Sequence, residues 1–323
     1  MLNDQRKQLV HQFGLDWLKD DAMEITTIAE DASFRRYFRL RLKHQSWVVM
    51  DAPPDKEDCT TFIEITQRLR DAGLHAPEIL RIDLQNGLLL LEDLGDTQYK
   101  PLIEDETADD CFQPLFRVLG EFAKNVNTSG LPSYSSRLLQ TELDLFPDWY
   151  LSQHKHQPFS LSEQLSWEQL CNTLIQSAQS QPQVFVHRDF HSCNLLKTED
   201  NNPGIIDYQD ALIGPISYDL VSLLWDRYIS WPRDRITAWC EQFRQQLVLD
   251  ISVEEWQRQC DFMSLQRNLK IVGIFARLHY RDKKSGYLEM IPRFHDYCLD
   301  ILQRYPEFET LLNTLNSRKI SKS

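Results

Sequence analysis

Asp189 and Asn194 share one short stretch, Val184-Phe-Val-His-Arg-Asp-Phe-His-Ser-Cys-Asn-Leu-Leu196, and a further carboxylate, Asp207, follows thirteen residues after Asn194. An acid, an amide and a second acid in this order are what phosphoryl transfer needs. The attacking hydroxyl needs an oxygen acceptor beside it, and hard magnesium ions bridging nucleotide phosphates need two oxygen ligands. The apolar run 183–186 reads as a short buried strand leading into the loop, and Gly204-Ile205-Ile206 as another that delivers Asp207. The Asp- and Asn-rich residues 199–203 read as a hairpin-like turn folding these two strands together.

Simpler readings compete. His187 and His191 lie four apart, as paired zinc ligands do, but the zinc-protease pattern puts Glu directly after the first His on a regular helix, and here Arg188 stands there. Asp189 alone would be an ordinary turn cap; its spacing from Asn194 and Asp207 argues for chemistry. Cys193 has no evident base beside it and reads as packing.

The stretch resembles the kinase-like phosphotransferases of the aminoglycoside phosphotransferase and choline kinase superfamily. Protein kinases carry His-Arg-Asp, then Asn, then Asp-Phe-Gly; here the residues are His187-Arg188-Asp189, Asn194 and Asp207-Tyr208-Gln209. The missing glycine after Asp207 points to a small-molecule kinase. The resemblance implies that Asp189 orients and deprotonates the acceptor hydroxyl, that Asn194 and Asp207 hold the metal, and that His187 pins the loop. Asp219, at the start of the next expected helix, either caps that helix or hydrogen-bonds the catalytic loop backbone.

These groups need a nucleotide-binding element, and the N-terminal residues read as one. Segments 24–29, 35–42, 47–50 and 88–91 read as strands, and 59–72 as a helix with Phe62, Ile65 and Leu69 on one face. By the resemblance, residues 30–38 take the place of the phosphate-covering hairpin. Ser33 is small enough for its tight turn, and either Arg35 or Arg36 faces the nucleotide, because they alternate across a strand. Met50 stands about where the superfamily carries its phosphate-gripping lysine, so Lys43, Lys56, Arg35 or Arg36 must substitute. Glu64 matches that lysine's usual partner, its plain alternative being a solvated helix charge. The run 91–96 looks like the hinge, where adenine would use the Glu92 carbonyl and the Leu94 amide.

Further blocks narrow the resemblance: Asp31-Ala-Ser-Phe-Arg-Arg-Tyr-Phe-Arg-Leu40, Val49-Met-Asp-Ala-Pro-Pro54, Leu90-Leu-Glu-Asp-Leu-Gly-Asp96 and Gly273-Ile-Phe-Ala-Arg-Leu278. They look like the bacterial anomeric kinases that phosphorylate N-acetylmuramate and N-acetylglucosamine at C1 in cell-wall (peptidoglycan) recycling. That resemblance spans nearly the whole chain and implies ATP, Mg2+ and an amino-sugar substrate.

The C-terminal part reads as mainly helical. Helices are expected over 162–179 and from the Ser252-Val-Glu-Glu255 capping box to Tyr280. On the latter, Arg267, Lys270, Arg277 and Arg281 fall within an arc of roughly 80° at 100° per residue. Apolar residues cover its other faces, as in a buried helix. Lys270 or Arg277 would meet an anionic substrate group, or the arc is a solvated basic face. Glu142, in a run of carboxylates and aromatics from 141 to 150, is a candidate hydroxyl ligand, and Asp210 one for a polar or cationic acceptor.

Composition agrees with an intracellular enzyme. A chain of 323 residues, 42% hydrophobic, exceeds the usual single domain. Seven cysteines, no two closer than twenty residues, form no paired pattern and favour a reducing cytoplasm. The N-terminal residues lack a signal-peptide core, and no apolar run reaches membrane-spanning length. A net charge of −13 argues against nucleic acid or anionic membrane as a partner.

The expected architecture is α+β, a two-lobed protein-kinase-like fold. Residues 1–94 form a small, mainly β nucleotide-binding lobe with its hinge near 92–95, and 95–323 a larger, mainly helical catalytic and substrate lobe. The expected function is ATP-dependent phosphorylation of an amino-sugar anomeric hydroxyl. Two readings stand beside it: a kinase for another small alcohol, such as an aminoglycoside, choline or another sugar position, and a nucleotide-binding scaffold without turnover, motivated by Met50 and disfavoured by Asp189, Asn194 and Asp207.

Overall fold

The computed structural model describes residues 2–30 and 34–317. Ser33, expected in the phosphate-covering turn, lies outside the described residues. The chain divides into two compact units: one holds the residues up to Val118 together with Cys193–Asp210, the other Leu119–Ser192 and the chain from Ala211 onward. The first is thus wider than the 1–94 segment, since the chain returns to it after a long excursion.

The first unit opens with helix α1 (Leu2–Leu18) and strands β1 (Glu24–Glu30), β2 (Arg36–Leu42) and β3 (Gln45–Asp51), then helix α2 (Cys59–Asp71) and strands β4 (Ile79–Asp83) and β5 (Leu88–Glu92). The strands form one antiparallel sheet in the order β1-β2-β3-β5-β4. Registering Phe38 with Val49, and Val49 with Leu90, puts one apolar residue of each strand in a row. Alternation then gives the sheet two faces. Phe38, Leu40, Val49, Leu88 and Leu90 pack with Val10 and Phe13 of α1 and with Met23, each such side chain contributing roughly 1.5–3 kcal/mol on burial. Tyr37, Arg39, Val48, Met50 and Leu91 belong to the opposite face. Asp58 caps α2 by accepting the Thr60 amide at 2.8 Å, and the helix buries Phe62, Ile65, Thr66 and Leu69 at helical spacing.

Helix α3 (Ala108–Lys124), within which the division falls, is followed by α4 (Ser136–Leu145), a π-helical stretch (Phe146–His154) and α5 (Leu161–Ser180). Four short strands come next: β6 (Gln183–Val186), β7 (Leu195–Leu196), β8 (Gly204–Ile205) and β9 (Leu212–Pro215). Helices α6 (Tyr218–Leu224), α7 (Arg233–Leu247), α8 (Val253–Tyr280), α9 (Ile291–Leu302) and α10 (Glu309–Ser317) complete the described chain. The strands flanking the stretch 187–194 pair differently from the expected single hairpin. β6 is antiparallel to β9, and β8 is antiparallel to β7, because the two residues of β7 directly precede the turn and reach β8 first.

In the second unit, α8 is buried over most of its length, as its apolar coverage predicts. Ser252 caps it, its hydroxyl accepting the Glu255 amide at 3.2 Å. Leu265, Leu269, Val272 and Phe275 share a core with Leu143, Phe146, Trp167, Leu170 and Phe294. Gly273 permits a close approach: a Cβ there would lie 2.4 Å from the carbonyl carbon of Leu145, where α4 passes into the π-helical stretch. No helix among the described residues is long and apolar enough to cross a membrane.

Candidate active site

The stretch carrying the candidate catalytic residue Asp189 begins where β6 ends, within the second unit. His187 is buried, against the rings of Phe122 and Phe190. Its Nδ1 accepts the Asp189 amide at 3.3 Å, which places the proton on Nε2 and ties the ring to its own loop. Asp219 settles between its two readings in favour of the loop. It accepts the amides of His187 at 2.6 Å and Arg188 at 3.0 Å, while Ser217 holds the cap position of α6. Burial raises the Asp219 carboxyl to about 7, against the pull of those amides. Arg188 is held at φ +77°, a conformation that costs a non-glycine residue and persists only where its surroundings fix it.

Asp189 is exposed as a residue, though its carboxyl is closely surrounded by protein. Its dense protein surroundings alone would raise its pKa; the positive charge of Lys270, with that of Arg267, counters this, and the carboxyl lies below its usual value. It is therefore ionised at neutral pH. Arg267 is 6% exposed, and its Nη1 has no hydrogen-bond partner.

Glu142 and Lys270, two of the expected substrate ligands, meet each other at 3.0 Å. Glu142 is buried and also accepts from Arg188 Nη2 at 2.8 Å, from Gln266 Nε2 at 3.3 Å and from the Tyr134 hydroxyl. Lys270 also donates to the Tyr218 hydroxyl at 3.1 Å. Arg277 stands in the last turn of α8, half-buried, its Nε without a hydrogen-bond partner.

The metal candidates stand together in the first unit. Asn194 Nδ2 donates to Asp207 Oδ2 at 3.1 Å, and the Ile206 amide donates to the Asn194 carbonyl at 3.1 Å. Asp207, two residues beyond the end of β8, is left-handed at φ +66°, and Gln209 Nε2 donates to its other oxygen at 2.8 Å. The buried Tyr208 behind it stacks on Phe62 and bonds Thr66 through its hydroxyl at 2.7 Å, tying this segment to α2. Asp210 is exposed.

Asn194 and Asp207 lie on the wall of a cavity of about 390 Å3, a volume that suits a small molecule. Its apolar wall includes Ile28, Val48, Leu91, Leu94 and Ile206, and the expected hinge residues from Glu92 to Asp96 border it. Among the described residues no three acidic, histidine or cysteine side chains are gathered to hold a metal. An amide and a carboxylate fit magnesium nonetheless, because it takes one or two carboxylates from protein and the rest of its shell from phosphates and water.

The expected phosphate cations have other partners. Arg35 pairs with Glu57 at 3.0 Å, and Arg36 pairs with the buried Asp51, which Arg6 also engages. Glu64 faces solvent and pairs with Arg68 one turn along α2, and Met50 is fully buried. The Glu92 side chain accepts from the Glu78 amide at 3.0 Å and contacts His75 Nε2 at 2.9 Å. Among the described residues on the cavity wall the basic one is Arg39, which the sequence reading missed. Its guanidinium grips Asp93 at 2.6 and 2.9 Å and Asp96 at 2.6 and 2.8 Å. Burial would raise Asp93, but Arg39 and Ser46 bring it below its ordinary value. Alternation along β2 gives Arg39 the face of Tyr37, so the period of two carried the signal.

Residues 24–256 match the profile of the phosphotransferase enzyme family. The N-acetylmuramate/N-acetylglucosamine kinase of Pseudomonas aeruginosa is 42% identical over 307 residues, covering 93% of this chain and 90% of the relative. The protein of that name in Pseudomonas putida is 39% identical, covering 91% and 88%. Among solved structures, an ethanolamine kinase from Plasmodium vivax superposes with a TM-score of 0.64 at 12% identity, over 90% of this chain and 87% of that one. The GDP complex of aminoglycoside 2'-phosphotransferase-IIIa superposes with a TM-score of 0.62 at 13% identity, over 90% and 98%. These neighbours bear out the expected kinase-like α+β fold, and the match over most of the sequence establishes the lineage: the chain belongs to the phosphotransferase enzyme family and is a small-molecule kinase.

Proposed function

We propose that this kinase transfers the γ-phosphoryl group of ATP to the anomeric hydroxyl of N-acetylmuramate or N-acetylglucosamine, giving the sugar 1-phosphate in the cytoplasm during peptidoglycan recycling. The observation that carries the acceptor is the 42% identity, over 93% of the chain, to a kinase named for those two sugars. In this reading Asp189, kept ionised by the surrounding cations, accepts the hydrogen bond of the attacking hydroxyl and takes its proton as the new P–O bond forms and ADP leaves. Asn194 and Asp207 hold Mg2+, which when bound offsets the charge of the phosphates. The nucleotide occupies the cavity beside Arg39, Leu94 and Asp207. An anomeric hydroxyl is more acidic than other sugar hydroxyls, so a carboxylate of low basicity suffices as its acceptor.

The test is a panel of acceptors with ATP and Mg2+: N-acetylmuramate, N-acetylglucosamine, glucosamine, choline and an aminoglycoside. Turnover confined to the N-acetylated amino sugars supports the proposal. Turnover of choline or the aminoglycoside alone overturns the acceptor.

A further inference from the structure

We propose that Glu142 is a positioning residue for phosphoryl transfer: its buried carboxylate anchors Arg188 and Lys270 together and thereby holds the turn that presents Asp189. The inference rests on the role given to Asp189 above.

Glu142 sits on α4, and its side chain is 7% exposed. One oxygen accepts from Arg188 Nη2 at 2.8 Å and from Lys270 Nζ at 3.0 Å; the other accepts from Tyr134 and from Gln266 Nε2 at 3.3 Å. Four donors on two oxygens leave little acceptor capacity for a sugar hydroxyl. Burial alone would raise Glu142, and Lys270, Tyr134 and Arg188 bring it below its ordinary value, so it stays an anion. Such a group is held in place, because removing one partner of a buried pair leaves the other charge uncompensated.

Both cations bear on Asp189. Arg188 precedes it in the chain and is the left-handed residue of the turn; fastening its guanidinium to Glu142 helps fix a backbone conformation that an arginine does not favour. Lys270 leads the cations acting on Asp189. Glu142 and the Tyr218 hydroxyl hold its ammonium at 3.0 and 3.1 Å while its charge acts on Asp189. Glutamine at 142 removes the charge that holds the two cations, and its amide NH2 must face either those cations or the Tyr134 and Gln266 donors. Lys270 would then be drawn toward Asp189, the other anion acting on it, and would compete with the acceptor hydroxyl.

The test compares steady-state kinetics and nucleotide affinity for the wild type, Glu142→Gln, Lys270→Met and the double variant. The expected result is a kcat lowered roughly 10–100-fold in each single variant, the loss that misplacement by about 1 Å brings. The KM for the acceptor and the Kd for nucleotide should change by less than about threefold. The double variant should lose no more than the worse single one, because the two residues act as a unit. Folded Glu142→Gln with unchanged kcat, or with a raised acceptor KM at unchanged kcat, overturns the proposal, the second outcome returning Glu142 to sugar binding. If Glu142→Gln does not fold, Lys270→Met reads the link from the other side, and an unchanged kcat there overturns it equally.

Asp189→Asn, measured in parallel, separates the two claims. If it keeps turnover, the role of Asp189 falls and that of Glu142 with it; if it alone loses turnover, only Glu142 falls. The comparison uses whichever alcohol the wild type phosphorylates, or phosphate release from ATP to water, so failure of the amino-sugar reading leaves it decisive.

Discussion

Asp219 accepts the backbone amide of His187 at 2.6 Å, so a buried carboxylate on α6 fastens the turn that carries Asp189. Its carboxyl is raised from 3.8 to about 7. Between those values the unfolded chain has lost the proton and the folded one retains it, so this group's contribution to stability falls as pH rises. Wild type should therefore lose stability relative to Asp219→Asn from about pH 4 to about pH 7, with little change above pH 8. Denaturant melts at stepped pH check this, and a constant difference refutes it.

Asp189→Asn should lower kcat roughly 10²–10⁴-fold while nucleotide affinity is kept, since the amide preserves size and cannot take the hydroxyl proton. Steady-state assays paired with nucleotide titration separate the two effects. Near-normal turnover of the folded variant would remove Asp189 from the chemistry.

Asp207→Ala should weaken magnesium-supported nucleotide binding by at least about tenfold, the loss that even an outer partner of a metal ligand brings. Calorimetry with a nonhydrolysable ATP analogue, with and without Mg2+, reads it. Unchanged affinity and metal dependence would reject Asp207 as a ligand.

Gly273→Ala tests the packing beneath the site. Alanine favours a helix over glycine by about 1 kcal/mol, but its Cβ would fall 2.4 Å from a backbone carbon of Leu145, which no rotamer change relieves. The clash should win, costing about 1–3 kcal/mol. A raised melting temperature would show that the two helices separate without cost.

Much of this was legible because the signals are local. The expected strand at 88–91 and helix at 162–179 correspond to β5 (Leu88–Glu92) and α5 (Leu161–Ser180), since apolar periodicity reports burial directly. β4 escaped notice because none of its residues is buried, leaving no alternation to read. The left-handed turns at Arg188 and Asp207 have no sequence signal, since neither is glycine. The ties of Arg36 to Asp51 and of Lys270 to Glu142 depend on partners 15 and 128 residues away, which no local pattern encodes. The reason for glycine at 273 likewise lies in another helix.

The central claim is tested most directly by the position of the phosphate on the product. Purified product from ATP, Mg2+ and N-acetylglucosamine or N-acetylmuramate should show a phosphorus NMR signal coupled to the anomeric proton and should no longer react as a reducing sugar. A phosphorylated product that still reduces, with its phosphorus coupled to the C6 protons, would contradict the account.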